Sequence, residues 1–404
     1  MQVLLLCVVS VSLRATLYAD DSLQVVIAEA HRVDQSRTLD EWREVMKSLD
    51  PKSPEAEAEV SGLIELIQDE SVPWFTRRQA AFTLGRIGVP AAKAVPILER
   101  YATAPIGDGE TSTSLWAIKS LALFGPVAAP ATSTLARLVG DSKSDPAVRM
   151  MSIEALCRIG SADPRALATV VELLRSHDPR VGADSVRSGP ELDLVVACIE
   201  SLELFRGDAE SSVPILLRFS EDRADRVRRA TAVTLGAIGP RARDAASQLA
   251  VMTVSDRSHD VRDVAAVALG RIGGTEWLVR ILGHSDPAIR ERAATGLGSV
   301  PGRDPLTKGA LATARMDESP MVRIAAIEAT ERWHSEPAIT APAAAQEMAA
   351  SGRHVRLRAI RFLTKLGVKA APALPILEQL RTHPDAQVRQ AADKQIESIQ
   401  GRTP

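Results

Sequence analysis

Residues 225–239 read DRVRRATAVTLGAIG, and residues 260–273 read DVRDVAAVALGRIG. In the first, Arg228 precedes Leu235 by seven residues and Gly239 follows by four. In the second, Arg262, Leu269 and Gly273 keep the same layout 34 residues later. Two phased copies at such a distance point to an internal repeat, which decides the fold before any motif is considered. Val227, Ala230, Val233 and Ile238 recur every three to four residues, the period of an amphipathic helix. Asp225, Asp260, Asp286 and Asp385 stand where a carboxylate can accept first-turn N–H groups. Gly239 and Gly273 stand where such a helix closes.

The same ruler finds the arginine at Arg77, Arg149, Arg228, Arg262, Arg290, Arg323, Arg356 and Arg389, with the last five spacings 34, 28, 33, 33 and 33. Two more units hold Ser114 and Val195 in its place. A second landmark keeps the frame. Val95-Pro96-Ile97-Leu98, Val213-Pro214-Ile215-Leu216 and Leu374-Pro375-Ile376-Leu377 each put proline eight residues past the closing position (Gly88, Arg206, Gly367). Proline suits the first turn of a second helix, where its missing N–H costs little. Each unit is then a helical hairpin too small to bury its own apolar face, and stacking supplies the core.

Units of the form Asp-x-x-Val-Arg-x-x-Ala-x-x-x-Leu-Gly-x-Ile-Gly, then Ala-x-x-Ala-Val-Pro-x-Leu, resemble HEAT repeats of the short type found in bilin-lyase-like proteins. The resemblance covers residues 69–404 and implies an all-α, right-handed α-solenoid, an armadillo-like superhelix of about ten hairpins. It is specific for fold and says little about function. A regular array implies a protein-binding scaffold whose concave surface carries specificity, expected on the second, proline-bearing helices. Two other functions follow from resemblance alone: a bilin-lyase-like enzyme or chromophore chaperone, and a HEAT-like nucleic-acid binder or DNA glycosylase.

Composition bears on these. Lys and Arg total 49 against 51 Asp and Glu, a formal charge of −2 with a sequence pI near 6.4. A nucleic-acid-binding surface usually shows a basic excess, and 3% aromatics supply few stacking platforms. Beyond the amino terminus no run of about 20 apolar residues argues for an internal membrane span.

In chain order, residues 1–19 carry an apolar run from Val3 to Leu13 and end in Leu17-Tyr18-Ala19, the pattern of a secretory signal without a basic leader. Export to a bacterial periplasm or the exterior is the expectation, with a cytoplasmic location the alternative. Residues 20–68 leave the frame yet keep helix signals: Thr38-Leu39-Asp40-Glu41 has the capping-box form, and Ser53-Pro54 leads into Val60, Leu63, Ile64 and Ile67. This region is expected to cap the array. Two insertions interrupt the repeats, at 104–110 and around 178–190, and both enter units that lost their arginine. Inserted loops on one edge of an array are often its binding face, which makes Asp108, Glu110, Trp116, Arg180, Asp184 and Arg187 candidate partner contacts. Among Trp42, Trp74, Trp116, Trp277 and Trp333, Trp116 adjoins the first insertion.

The arginine series has two readings. One is an anion-binding stripe; the other, preferred, is a structural ladder in which each guanidinium pairs with an aspartate of its own or the adjacent unit, since the acids recur with the arginines. The pairs His177-Asp178, His259-Asp260, His284…Asp286 and His383…Asp385 suggest metal ligands at first sight. Successive turns lie about 8–10 Å apart, however, and zinc needs bonds of about 2 Å. Helix termini explain them better. Cys157 and Cys198 fit small buried positions that do not obviously face each other. No nucleotide loop, Cys-x-x-Cys or nucleophile elbow occurs. No catalytic residue, cofactor or metal is expected.

Overall fold

The computed structural model describes residues 54–103, 110–180, 189–350 and 352–401. The expected signal segment 1–19, Trp42, the capping box at 38–41, Asp108, Asp184 and Arg187 lie outside these residues. The described residues form twenty α-helices joined by short turns and 3-10 segments, without a strand. They fall into two compact units: one comprises residues up to Ser176 together with Asp193–Phe205, the other His177–Leu192 and everything from Arg206 onward.

The first unit contains α1 (Pro54–Gln68), α2 (Trp74–Ile87), α3 (Val95–Ala102), α4 (Glu110–Phe124), α5 (Thr132–Gly140), α6 (Pro146–Ile159), α7 (Pro164–Ser176) and most of α8 (Gly189–Ser201). The second contains α9 (Val213–Phe219), α10 (Asp225–Ile238), α11 (Ala246–Ser255), α12 (His259–Arg271), α13 (Thr275–Leu282), α14 (Pro287–Leu297), α15 (Pro305–Ala314), α16 (Pro320–Trp333), α17 (Pro337–Ala350), α18 (Arg353–Leu366), α19 (Leu374–Leu380) and α20 (Ala386–Ile399).

The hairpins are phased one helix away from the sequence reading. Six proline-type helices pack mainly on the arginine-bearing helix that follows, α3 on α4, α5 on α6, α11 on α12, α13 on α14, α17 on α18 and α19 on α20, whereas α7 packs on α5 and α6. The reason lies in the connections. After an arginine-bearing helix the chain passes through a 3-10 stretch such as Gly239–Ala245 before the next helix begins. After a proline-type helix it turns within a few residues, as at Asp256–Ser258. In this phase α1, with Val60, Leu63, Leu66 and Ile67 buried, supplies the first helix of the first hairpin among the described residues, against α2.

Helix ends follow local chemistry. Gly239 closes α10 at φ 74°, and its N–H reaches the Leu235 carbonyl. The same conformation recurs at Arg206, φ 49° and ψ −127°, where a side chain occupies a backbone region that suits glycine. Asp286 and Asp385 cap α14 and α20 through the N–H groups of Ala288 and Gln387. Asp225 and Asp260 do not act this way: α10 and α12 start from Ala224 and Ser258, and Asp225 and Asp260 lie inside the first turn. The turn acid Asp256, two residues before Ser258, orders that entry instead by accepting the Ser258 N–H at 2.8 Å.

From α2 to α6 in the first unit and from α10 to α16 in the second, the arginine-bearing helices approach one another more closely than the proline-type helices do, whereas from α16 to α20 the two layers pack about equally. A Cβ at Gly85 of α2 would lie 2.8 Å from the Ser120 Cα of α4, and one at Gly236 of α10 would lie 3.0 Å from Ala268 of α12. The contact of α2 with α4, or of α10 with α12, is far more extensive than that of α5 with α7 or of α11 with α13. A layered array bends toward its tighter layer, so the arginine-bearing helices form the inner face of these stretches. The expectation that proline-bearing helices line the concave side is therefore corrected. Between the layers lie Leu84, Leu98, Ile118, Leu121, Leu135 and Ile153 in the first unit, and Leu235, Leu269, Leu297, Met348, Leu363 and Leu377 in the second. The stretch Ser114–Gly140 has the length and mean hydropathy (1.2) of a membrane span. It turns at Gly125, φ 57°, into two separate helices whose Leu121 and Leu135 are buried in this core.

Candidate interaction surface

Each arginine of the ladder stands at the start of a long helix, beside the turn that precedes it. Arg228 donates Nε and Nη2 to both carboxylate oxygens of Asp256, 2.8 Å each, and Nη1 to the carbonyls of Asp222 and Arg223 at 2.9 and 3.1 Å. Arg290 repeats the set with Asp317 (2.8 and 2.9 Å) and the carbonyls of His284 and Ser285 (2.9 Å each). Arg323 holds Glu347 at 2.5 and 2.9 Å and the carbonyls of Asp317 and Glu318 at 2.9 and 3.0 Å. One guanidinium thus ties its own turn to the next hairpin. Arg149 reaches the Val139 carbonyl (3.0 Å), and Ser114 does the same shorter-range work with its hydroxyl on Ala102 (2.9 Å). Val195 is buried.

Turn acids close the rungs of Arg228 and Arg290, whereas Arg323 closes on Glu347 inside α17. Asp222, Asp256 and Asp317 each accept the N–H two residues on at 2.8 Å. Two turns carry histidine there instead: His284 Nδ1 accepts the Asp286 N–H at 3.0 Å and His383 Nδ1 that of Asp385 at 3.1 Å. A neutral ring accepting at Nδ1 carries its proton on Nε2 and has no second acceptor for a guanidinium. The arginines before these turns are Arg262 and Arg356. Both have a buried Nε without a hydrogen-bond partner among the described residues, although Arg356 Nη1 pairs with Asp385 at 2.8 Å. Arg77, before the insertion, shares the orphaned Nε. Arg389 keeps the carbonyls of His383 and Pro384 at 2.7 and 2.8 Å.

Burial and full pairing remove the closed rungs from ligand chemistry. Arg228 and Asp256 side chains are each 5% exposed. Burial opposes the charge on Asp256 and Asp317, yet hydrogen bonds from Arg228 and Arg290 and from the turn N–H groups hold both carboxyls below the usual range.

The open chemistry lies on the other side of the same helices, at positions one, five and nine residues past the arginine. In the first unit Arg78 lies over the rings of Trp74 and Trp116 (5.1 and 5.7 Å), and Lys119 over those of Trp116 and Phe82 (4.4 and 5.6 Å). Phe82 meets Trp116 edge to face at 4.9 Å. Leu123 (40% exposed) extends the patch along α4, and Met150 (37%) stands on α6 at the position that Arg78 holds on α2. Trp116 is thus brought into a cluster on α2 and α4. Glu110 begins α4. Arg180 is not part of this surface: it pairs with Glu221 at 2.9 Å in the second unit.

In the second unit the same rows read Val233, Val267, Thr295, Glu328 and Arg361, then Ala237, Arg271, Ser299, Arg332 and Lys365. They begin at an open groove of about 530 Å³ lined by Val233, Val264, Val267 and the Arg292–Asp263 pair (2.7 Å). They end at a groove of about 640 Å³ beside α16 and α18, lined by Arg332, Arg361, Lys365 and Lys369. This basic end was missed in the sequence, although a signal was present: six Arg and Lys between Glu347 and Glu378 without one acid.

The remaining candidates are accounted for locally. Arg280 lies over Trp277 at 5.3 Å, and Trp333 meets His334 at 5.6 Å. Among the described residues no group of three His, Cys, Asp or Glu could hold a metal. Cys157 and Cys198 are free and buried, and burial pushes the Cys198 thiol up to about 12. Burial raises the Cys157 thiol as well, with a smaller push from the charge of Cys198.

Among known proteins, a family model described as HEAT repeats matches residues 104–189 and 246–331. No curated protein matches the chain. Of solved structures, Kap121p superposes with a TM-score of 0.51 at 12% identity, over 96% of this chain and 46% of that one. This chain therefore spans about half the length of Kap121p. The structure titled "Kap95p Binding Induces the Switch Loops of RanGDP to adopt the GTP-bound Conformation" gives 0.46 at 12% identity, over 96% and 64% of the two chains. An engineered protein gives 0.36 at 19%, over 84% and 98%. The likeness to Kap121p is one of fold.

Proposed function

We propose that this chain, a HEAT-repeat protein, is a non-catalytic scaffold that binds another protein along the inner face of its arginine-bearing helices. The observation that carries this reading is the patch of Trp74, Arg78, Phe82, Trp116 and Lys119. Partly exposed aromatics with cations over their rings combine the residue types that dominate protein-binding hot spots. A preformed helical face also avoids most of the ordering cost of association. The apolar run at 3–13 supports export, and intact-mass measurement of the protein from its host tests it: loss of residues 1–19 is expected.

The binding test is affinity capture from the host with the full chain and with Trp116→Ala/Lys119→Glu as baits. A partner held by the first and lost by the second is expected. The same partner held equally by both would remove the patch from the account. Shortening 104–110 or 179–190 asks separately whether the inserted loops contribute.

A further inference from the structure

The exposed residues of α18 do not share the near-neutral balance of the chain. From Arg353 to Lys369 there are six Arg and Lys and no acid, in a protein of formal charge −2. Arg353 opens α18, and the other five divide into two groups. Arg356 pairs with Asp385, and Arg358 pairs with Glu291 and, at 2.8 Å, with Glu328. These two are spent on holding α18 to its neighbours. Arg361, Lys365 and Lys369 are exposed, as is Arg332 on α16, and none of the four has an ion pair among the described residues. Arg361 Nε reaches only its own helix, at the Leu357 carbonyl (3.3 Å).

All four line one groove of about 640 Å³. Its two acids are already engaged. Glu328 receives Arg358 through both oxygens (3.0 Å each from Nε), and Glu331 receives the Ser335 and Thr340 hydroxyls (2.5 and 2.7 Å) and the Glu336 N–H (3.1 Å). The groove therefore presents positive charge that its own walls do not neutralise. Arg361 and Lys365 are one turn apart on one face, a spacing of about 6 Å. Leu357, one turn earlier on that face, is 45% exposed, and Phe362 and Leu366 contribute apolar wall.

We propose that this groove binds an acidic segment of a partner protein, with two or more carboxylates on Arg332, Arg361, Lys365 and Lys369 and an aliphatic side chain against Leu357. Charge complementarity names the carboxylates, and Leu357 names the aliphatic neighbour, which a phosphodiester backbone does not offer. The groove's size suits a few side chains of a peptide, and it lacks the row of exposed rings that single strands stack upon. The inference rests on the reading of the inner face as a protein-binding surface.

The test is fluorescence anisotropy with the full chain and a labelled peptide, Glu-Glu-Leu-Glu-Asp-Leu-Glu-Glu. Its lysine counterpart and single- and double-stranded oligonucleotides serve as competitors. Saturable binding that weakens with salt is expected, and Arg361→Glu/Lys365→Glu is expected to lower affinity about tenfold or more. Arg137→Glu, an exposed change in the first unit, is expected to leave it unaltered. Absence of peptide binding, equal binding by the double variant, or displacement by an oligonucleotide more readily than by unlabelled peptide would each overturn the proposal. Thermal melts of the variants check that these exposed changes leave the fold intact. Because the peptide is defined, a negative result here leaves the Trp116 capture experiment independent.

Discussion

At the scale of single residues, the ladder makes arginines with one sequence signature unequal. Arg228 closes a buried bidentate pair, and Arg228→Ala leaves Asp256 buried without its partner, at a cost of about 3 kcal/mol. Arg262 has no carboxylate to receive its buried Nε, so Arg262→Met is expected to stay within about 1 kcal/mol of the parent. Urea unfolding followed through the second unit's transition measures both, and equal losses would contradict the account. His284→Asp restores the missing acceptor and is expected to raise that transition. Arg206 occupies a glycine backbone region, and Arg206→Gly is expected to stabilise by about 1 kcal/mol, read in the same experiment. The sequence frame displayed the eight arginines and their acids plainly because they repeat. It did not display the difference between the rungs of Arg228 and Arg290 and those of Arg262 and Arg356, which follows whether the next turn carries aspartate or histidine, two residues that cap a turn in the same way.

At the scale of elements, the turn acids set how stability follows pH. Asp256 and Asp317 titrate lower folded than unfolded, so each contributes stability that is fully present above the unfolded carboxyl pKa of about 3.9. That contribution is lost as pH falls through the lower folded values. The second unit is expected to lose stability on acidification below about pH 4, and Asp256→Asn/Asp317→Asn should flatten the decline. A profile unchanged by the double variant would exclude these acids as its source. Close packing of the inner layer gives a further expectation: Gly85→Val forces a side chain onto the Ser120 backbone and should cost about 1–3 kcal/mol in the first unit's melt. Helix periodicity, closing glycines and the proline landmark were all legible. The pairing of helices was not, because a repeat spacing is the same whichever neighbouring helix completes the hairpin, and the stretch after the closing glycine folds as a 3-10 passage to the next helix. Caps at Asp286 and Asp385 could be read directly, whereas Asp225 and Asp260 sat one or two residues inside the helix they were expected to open.

At the scale of the molecule, composition was a weak guide to the surface. A net charge of −2 hides a basic groove at α18, since acids elsewhere balance it. Trp116 was legible as a residue next to an insertion. Its neighbours Trp74, Arg78 and Phe82 come from the preceding hairpin and could be joined to it only once α2 and α4 were seen side by side. The central claim is that the arginine-bearing helices bear the partner. Photo-crosslinking tests this most directly, with benzoylphenylalanine placed at Lys119 on α4 or at the exposed Glu172 on the proline-type helix α7. Covalent capture of the partner from position 119 and not from 172 is the predicted result. Capture from 172 with none from 119 would place the binding face on the opposite layer and contradict the account.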